Sequence, residues 1–219
     1  MFRKKKNLFT PTADAEAIQK LPLLRFEGKI VVIDELGREF DKAVRYLKRR
    51  KVIGFDTETR PVFSPRANSN GVALLQLSSG RKAFLFRVFM TGMEEGLWSV
   101  LADPGIIKVG AAVADDSRGM QKIDPCQPAG FVDLQRMCSE YGIRDKSVKK
   151  LGAIIMGGRI SKTQQLSNWE APRLSDAQQV YAATDAWVCR EMYMKLLDTE
   201  KRPLEEPSAE KEKSSDGRK

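Results

Sequence analysis

The alternation of apolar and polar residues divides the first half of the chain into short strands and one helix. Apolar stretches predict four strands, at 26–33, 52–58, 72–77 and 82–88. Over 34–47 apolar residues recur at helical spacing and basic residues fill the remaining face, which indicates an amphipathic helix. The short turn Ser78-Ser79-Gly80 favours antiparallel pairing of the strands on either side of it.

The second half alternates between the two kinds of element. The pattern predicts helices near 96–102, 115–122 and 135–141, and strands at 106–113 and 131–134. Such alternation is typical of parallel strands joined by crossover helices. Residues 147–197 have a helical pattern throughout, and Ser175 with Gln178 forms a capping box at the start of a last long helix.

The two ends of the chain differ from its middle. Residues 1–24 show little periodicity and several turn formers, so we interpret them as an N-terminal arm. Residues 201–219 contain one leucine and no other large apolar residue, which predicts a disordered tail. The 219 residues are enough for one well-filled core, and we expect a single domain over 25–200.

Charge and composition narrow the possible chemistry. The formal net charge of +9 favours a polyanionic partner without identifying it, and part of that charge lies in the basic start Arg3-Lys4-Lys5-Lys6. The chain has no histidine, which excludes Ser-His-Asp and Cys-His catalysis, histidine-ligated zinc and every histidine general base. Catalysis here would have to use carboxylates, tyrosine, lysine or a metal ion.

The cysteines and the apolar runs bear on the compartment. Cys126, Cys138 and Cys189 are odd in number and widely spaced, which fits a reducing environment. No apolar run approaches the roughly 18 residues of a membrane span, and no signal-peptide pattern follows the basic start. We therefore expect a cytoplasmic protein that does not contact a membrane.

The first candidate for chemistry is a pair of acids at the end of a buried strand. Side chains on a strand alternate between its faces, so Asp56 and Glu58 lie on the same face and repel each other unless a cation lies between them. Mg²⁺ and Mn²⁺ prefer carboxylate oxygens. Exposure of both acids to solvent at the strand end is the alternative, and it is the commoner one for an isolated Asp-x-Glu.

The last helix supplies a second candidate. Asp185 interrupts an otherwise apolar helical stripe, and a buried ionised carboxylate costs several kcal/mol unless it is paired or bound to metal. Tyr181 lies one turn earlier on the same face. An ordinary core tyrosine and an Asp–Arg pair remain alternatives at these two positions.

A third acidic site follows the strand at 106–113. Asp115 and Asp116 are adjacent there, and aspartate is also a favoured helix N-cap. Capping and catalysis are equally compatible with this pair.

In combination these motifs resemble those of the DEDD superfamily of 3′-to-5′ exonucleases. The resemblance rests on Phe55-Asp56-Thr57-Glu58, on Lys108-Val109-Gly110 with Asp116 six residues after the glycine, and on Tyr181 four residues before Asp185. It covers residues 30–197. The tyrosine marks the tyrosine subclass, and the pattern is most similar to ribonuclease D and Werner-type domains.

The resemblance implies a fold and a mechanism. The fold is α/β and ribonuclease H-like, a five-stranded mixed sheet of three antiparallel and two parallel strands flanked by helices. Asp56, Glu58, Asp116 and Asp185 would hold two divalent cations, Mg²⁺ or Mn²⁺, and Tyr181 would position the attacking water. The spacing from Gly110 favours Asp116 over Asp115. Ser117-Arg118-Gly119 replaces the bulky aromatic residue that family members often carry there.

The substrate would be the 3′ end of a DNA or RNA strand. Basic residues outnumber acidic ones between 145 and 173, and Lys146, Lys149 and Lys162 are our candidates for phosphate contacts, with a solvated helix face as the alternative for each. Thr57 and Asn168 lie inside motifs of the resemblance, and we expect them to contact substrate too. For Trp169 we expect packing under the last helix. A catalytically silent nucleic-acid-binding module is the main rival function.

Overall fold

The computed structural model describes residues 4–59, 71–113 and 127–204, and these ranges contain a single six-stranded sheet. Its strands are β1 (Lys29–Ile33), β2 (Val52–Thr59), β3 (Val72–Ser78), β4 (Lys82–Phe86), β5 (Ile107–Gly110) and β6 (Phe131–Asp133). The spatial order is β1-β4-β3-β2-β5-β6. The long strand β2, which carries two of the candidate acids, therefore lies inside the sheet.

The pairing directions confirm the predicted mixed sheet and add one strand to it. β3 pairs antiparallel with β2 on one side and with β4 on the other. β5 pairs parallel with β2, and β6 pairs parallel with β5. These five strands are the three antiparallel and two parallel strands that the resemblance implies. β1 adds a sixth strand parallel to β4 at the edge; the pattern at 26–33 predicts the strand but not its place in the sheet.

Helices cover both faces of the sheet. They are α1 (Ala15–Gln19), α2 (Arg38–Leu47), α3 (Val88–Thr91), α4 (Glu95–Leu101), α5 (Leu134–Met137), α6 (Val148–Leu151) and α7 (Asp176–Leu197). On one face α2 and α4 pack with Phe55 and Leu77 in the largest apolar cluster. On the other face α7 packs against β2 and β3, and its apolar side chains join Val109 and Leu74 in separate clusters. None of the described helices is both long and apolar enough to span a membrane.

The helical pattern read over 147–197 is wrong for its middle part. α6 continues as a π-helical turn over Gly152–Met156, which ends where Gly157 adopts a left-handed φ of 70°. Residues 157–174 are then irregular, with turns, bends and an isolated β-bridge between Arg159 and Leu23. α7 begins only with the capping box of Ser175 and Gln178, which is confirmed. Left-handed backbone cannot continue a helix, and glycine adopts it without steric cost.

Residues 4–24 lie against the domain. Asp14 caps α1, whose Ile18 is buried, and the Asn7 side chain donates a hydrogen bond to the Tyr141 carbonyl at 3.0 Å. At the other end the Arg202 amide donates to the carbonyl of Glu140 at 2.9 Å. The domain limits at residues 24 and 200 stay predictions, and residues 205–219 of the predicted tail lie outside the described residues.

Helix α7 approaches β2 very closely at one glycine. A β-carbon added to Gly54 would lie only 1.7 Å from the carbonyl oxygen of Ala186, so the helix backbone rests directly on the strand. Asp185 is the residue before Ala186, and Asp56 is two residues beyond Gly54 on the same face. This contact therefore sets the separation between the acid of the helix and the acids of the strand.

We predict that Gly54→Ala lowers the free energy of unfolding by about 3 kcal/mol, because the added methyl group must push helix backbone away from the sheet. Chemical denaturation measures the effect. Gly71→Ala is the matched control, since a β-carbon there meets nothing within 4 Å. Equal stability of the two variants would contradict the close approach.

Candidate active site

Three carboxylates from two elements meet above β2. Asp56 and Glu58 point from the same face of the strand, and Asp185 points toward them from α7. One oxygen of each carboxylate lies within 4.8 Å of the other two, and all three residues are partly buried. Three negative charges this close repel one another, and hard divalent cations prefer such oxygen ligands. The donor set therefore fits a divalent metal ion.

The environment of Asp185 disfavours its charge in the metal-free protein. Burial raises the pKa of this carboxyl to about 7, although a hydrogen bond from Tyr181 and the positive charge of Lys162 both act to lower it. Desolvation dominates because α7 rests directly on the sheet at this point. A metal ion would restore the ionised form by supplying the missing positive charge.

Tyr181 lies beside the three acids and keeps its proton. Its pKa is raised well above the usual value, first by burial and then by the negative charges of Asp185 and Glu58. The ring packs on the indole of Trp169, with 6.0 Å between the ring centroids. The phenol is therefore a fixed, neutral hydrogen-bond donor at the edge of the carboxylate cluster.

Trp169 is fully buried under the last helix, as predicted. The turn that follows it is tied to the sheet by Arg87, whose guanidinium donates to the carbonyls of Pro172, at 2.8 Å, and Ala171. The side chain of Gln178 donates to the Asn168 carbonyl at 3.1 Å. These contacts fix the loop that supports Tyr181. The sequence does not reveal the role of Arg87, since a basic residue at a strand end is usually solvated.

A cavity of about 310 Å³ opens over the acids, and we refer to it as the carboxylate cavity. Several predicted site residues line it: Asp56, Thr57, Glu58, Lys149, Lys162, Tyr181 and Asp185. Its wall also contains Ser147, Ser161 and Gln165, which sequence reasoning missed. The last two lie in the irregular segment 157–174, where the sequence pattern predicts helix, so no pattern marks them. Two lysines and several neutral donors thus face the acids across the cavity.

Lys146 and Asn168 lie outside the carboxylate cavity. The ammonium of Lys146 donates to the carbonyl of Gln135 and faces a different depression of the surface. The Asn168 side chain accepts the amide of Glu170 at 3.1 Å, a local turn contact. Their substrate contacts stay predictions. Asp116 and its neighbour Asp115 lie outside the described residues.

Gln76 is a further polar residue on the face of the sheet that carries the acids. It pairs directly with Asp56 across the two strands, and its side chain is fully buried. Within the described ranges neither its amide nitrogen nor its oxygen has a hydrogen-bond partner. An unpaired buried polar group costs about 1–3 kcal/mol. The layer between β3 and α7 is therefore not optimised for stability alone.

Comparison with known proteins assigns the family. A sequence model of the 3′-5′ exonuclease family matches residues 34–200, most of the chain. The chain belongs to the 3′-5′ exonuclease family. This exonuclease sequence is 36% identical over 150 residues to Exonuclease 3′-5′ domain-containing protein 2 of Drosophila melanogaster, covering 67% of the chain and 25% of that relative. It is 31% identical over 186 residues to the mouse Bifunctional 3′-5′ exonuclease/ATP-dependent helicase WRN, covering 80% of the chain and 13% of the relative.

Solved structures support the same fold for this exonuclease domain. Escherichia coli RNase D superposes with a TM-score of 0.69 at 21% identity, over 77% of this chain and 44% of that one. The Aedes aegypti Nibbler EXO domain superposes with a TM-score of 0.65 at 24% identity, over 78% and 88%. The chain thus spans a quarter or less of the two curated relatives but most of an isolated exonuclease domain.

We predict that the metal-free protein loses stability as the pH rises from about 4 to about 7. The Asp185 carboxyl has a pKa of about 7 when folded and about 3.9 when unfolded. Between these values the folded state binds more protons, so the free energy of unfolding falls with rising pH. Denaturation in EDTA across this range measures the loss.

Asp185→Asn should remove this part of the pH dependence, whereas Asp198→Asn, at the exposed end of the same helix, should retain it. A wild-type profile that coincides with that of Asp185→Asn would show that the folded carboxyl is not desolvated.

Proposed function

We propose that this protein is a metal-dependent 3′-to-5′ exonuclease that hydrolyses the terminal phosphodiester of a DNA or RNA strand. The single observation that carries the proposal is the convergence of Asp56, Glu58 and Asp185, within 4.8 Å, in an open cavity next to Tyr181. Family membership supports it. Both a ribonuclease D and a DNA polymerase I are among the relatives, so the proposal leaves the choice of DNA or RNA open.

The three acids would hold the metal, with Asp116 as the fourth ligand implied by the resemblance. We propose Mg²⁺ or Mn²⁺, and two ions, as in the mechanism that the resemblance implies. When bound, divalent cations neutralise charge on a phosphodiester and make a water molecule more acidic. Without them the cluster would repel a phosphate, so the same carboxylates that bind metal also make substrate binding depend on it.

Tyr181 would position the attacking water and not act as a base. Its pKa is raised by burial and by the neighbouring acids, so the hydroxyl stays protonated during turnover. In the free protein it donates to Asp185. Its place one helical turn before that acid supports assignment to the tyrosine subclass.

The lysines of the cavity wall would contact the phosphates of the strand. Lys149 and Lys162 line the carboxylate cavity opposite the acids, and such contacts give sequence-independent affinity. A second cavity of about 350 Å³ meets the first at Tyr181 and Asp185, which extends the space available to the strand end. We also propose a cytoplasmic location, supported by the free, buried thiol of Cys138.

We expect the purified protein to shorten a 5′-labelled single-stranded oligonucleotide from its 3′ end when Mg²⁺ or Mn²⁺ is added. Asp56→Asn and Asp185→Asn should each lower the rate by about a thousandfold or more, since each removes a metal ligand. Gel electrophoresis of timed samples measures both. Asp198→Asn removes the same charge at a position outside the carboxylate cavity and should retain full activity. A wild type that binds the oligonucleotide but never shortens it in either metal would favour a silent binding module.

Tyr181→Phe should lower kcat about tenfold to a hundredfold and leave KM nearly unchanged, because the ring still packs on Trp169 and only the hydroxyl is lost. Steady-state kinetics separates the two constants. Tyr193→Phe, about three turns further along α7 and buried in another cluster, is the matched control and should behave as wild type. An unchanged kcat in Tyr181→Phe would show that the hydroxyl does not position the water.

A further inference from the structure

A second, strongly basic cavity lies at the opposite end of β2. It has a volume of about 410 Å³ and lies between the end of α2, the turn between β3 and β4, and the second half of α7. We call it the basic cavity. Five of its lining side chains are cationic: Arg49, Arg50, Lys51, Arg81 and Arg190. None of them belongs to a motif of the exonuclease resemblance.

An aromatic side chain orders part of this charge. The guanidinium of Arg50 lies 4.6 Å from the centre of the Tyr46 ring, and the ammonium of Lys82 lies 4.9 Å from it. The Tyr46 hydroxyl forms a hydrogen bond with the Ser79 hydroxyl at 2.9 Å, which ties α2 to the turn. Two cations are thus held against one ring, although like charges would otherwise separate.

The charge of the basic cavity is not balanced by acids within the described part of the chain. Arg190 pairs with Glu191 and donates to the Val52 carbonyl at 3.3 Å. In those ranges no ion pair involves the other four lining cations, and the buried Nε of Arg50 has no hydrogen-bond partner. A concave surface with this much unpaired positive charge is suited to an anion with several oxygen acceptors.

We propose that the basic cavity binds the phosphodiester backbone of a nucleic acid upstream of the 3′ end held in the carboxylate cavity. Arginine forms bidentate hydrogen bonds with phosphate oxygens. The cations are spread over three elements and do not converge on one point. A backbone with repeated phosphates fits such a spread better than a single phosphate group.

The two cavities lie at opposite ends of β2. Val52 lines the basic cavity and Asp56 lines the carboxylate cavity. Four residues of strand cover about 13 Å at 3.3 Å each. Because α7 rests on β2 at Gly54 between the two cavities, a nucleic acid that reaches both has to pass around this contact over the surface of the domain, by a path longer than the strand segment itself. The inference rests on the proposed exonuclease function, and it predicts that the basic cavity matters only for longer strands.

The test compares two double variants with the same loss of charge. Arg50→Gln with Arg81→Gln removes two cations of the basic cavity. Arg45→Gln with Lys48→Gln removes two exposed cations of the same region of α2 that do not line it. Binding of a labelled 20-nucleotide strand is measured by fluorescence anisotropy in EDTA over a range of salt concentrations. Cleavage of that strand and of a trinucleotide is measured with Mn²⁺.

For the cavity variant we expect binding of the 20-nucleotide strand to weaken about tenfold. The slope of log affinity against log salt should fall by about 1.4, because each lost contact to a single strand removes about 0.7. KM for the long strand should rise with kcat unchanged, and cleavage of the trinucleotide should stay at the wild-type rate. The control variant should change each value less than twofold, and Arg81→Gln alone, at an exposed turn, should show half of the change in slope.

Several results would overturn the proposal. Equal losses in the two double variants would mean that net charge, and not the cavity, governs binding. Equal losses for trinucleotide and long strand would place the effect at the carboxylate cavity. Tripolyphosphate serves as the free-phosphate probe. If the cavity variant loses tripolyphosphate binding but keeps the wild-type affinity for the long strand, the cavity binds a small polyphosphate instead of a nucleic acid. Absence of cleavage by the wild type would refute the exonuclease proposal, while the binding series would still decide on the cavity.

Discussion

The contact between α7 and β2 at Gly54 determines the geometry of the site. The chain brings two acids on a strand and a third on a helix more than a hundred residues later into one cluster. Only a helix backbone that rests directly on the strand lets a side chain as short as aspartate reach its partners. Any side chain larger than hydrogen at Gly54 would move Ala186, and Asp185 with it. The packing of one glycine is therefore also a condition for metal binding.

The same close packing has an energetic cost in the metal-free state. It desolvates Asp185 and brings like charges together. These features are unfavourable unless a cation binds, so metal affinity is coupled to the stability of this layer. The structure offsets the strain with contacts outside the cluster. Arg87 and Trp169 fix the loop beneath Tyr181, and a large apolar cluster on the opposite face of the sheet is independent of the site.

Local patterns predicted the parts of the site that depend on local geometry. The common face of Asp56 and Glu58 follows from the two-residue period of a strand, and the capping box marked the start of α7. Patterns failed where the outcome depends on distant contacts. A left-handed glycine at 157 ends a segment whose spacing still looks helical. Likewise, β1 has a clear strand pattern, but its parallel pairing with β4 depends on the path of the whole chain.

Strand β2 connects two regions of opposite charge. Its C-terminal half presents carboxylates, which attract substrate only after cations have bound, and its first residue borders the basic cavity. A nucleic acid approaching the metal-free protein would meet attraction at one end of β2 and repulsion at the other. Metal binding reverses only the repulsion at the carboxylates. Long strands can therefore be retained near the protein before the site is able to cleave them. The charge that favours binding and the charge that allows catalysis then lie at opposite ends of β2, and residues of α7 line both cavities.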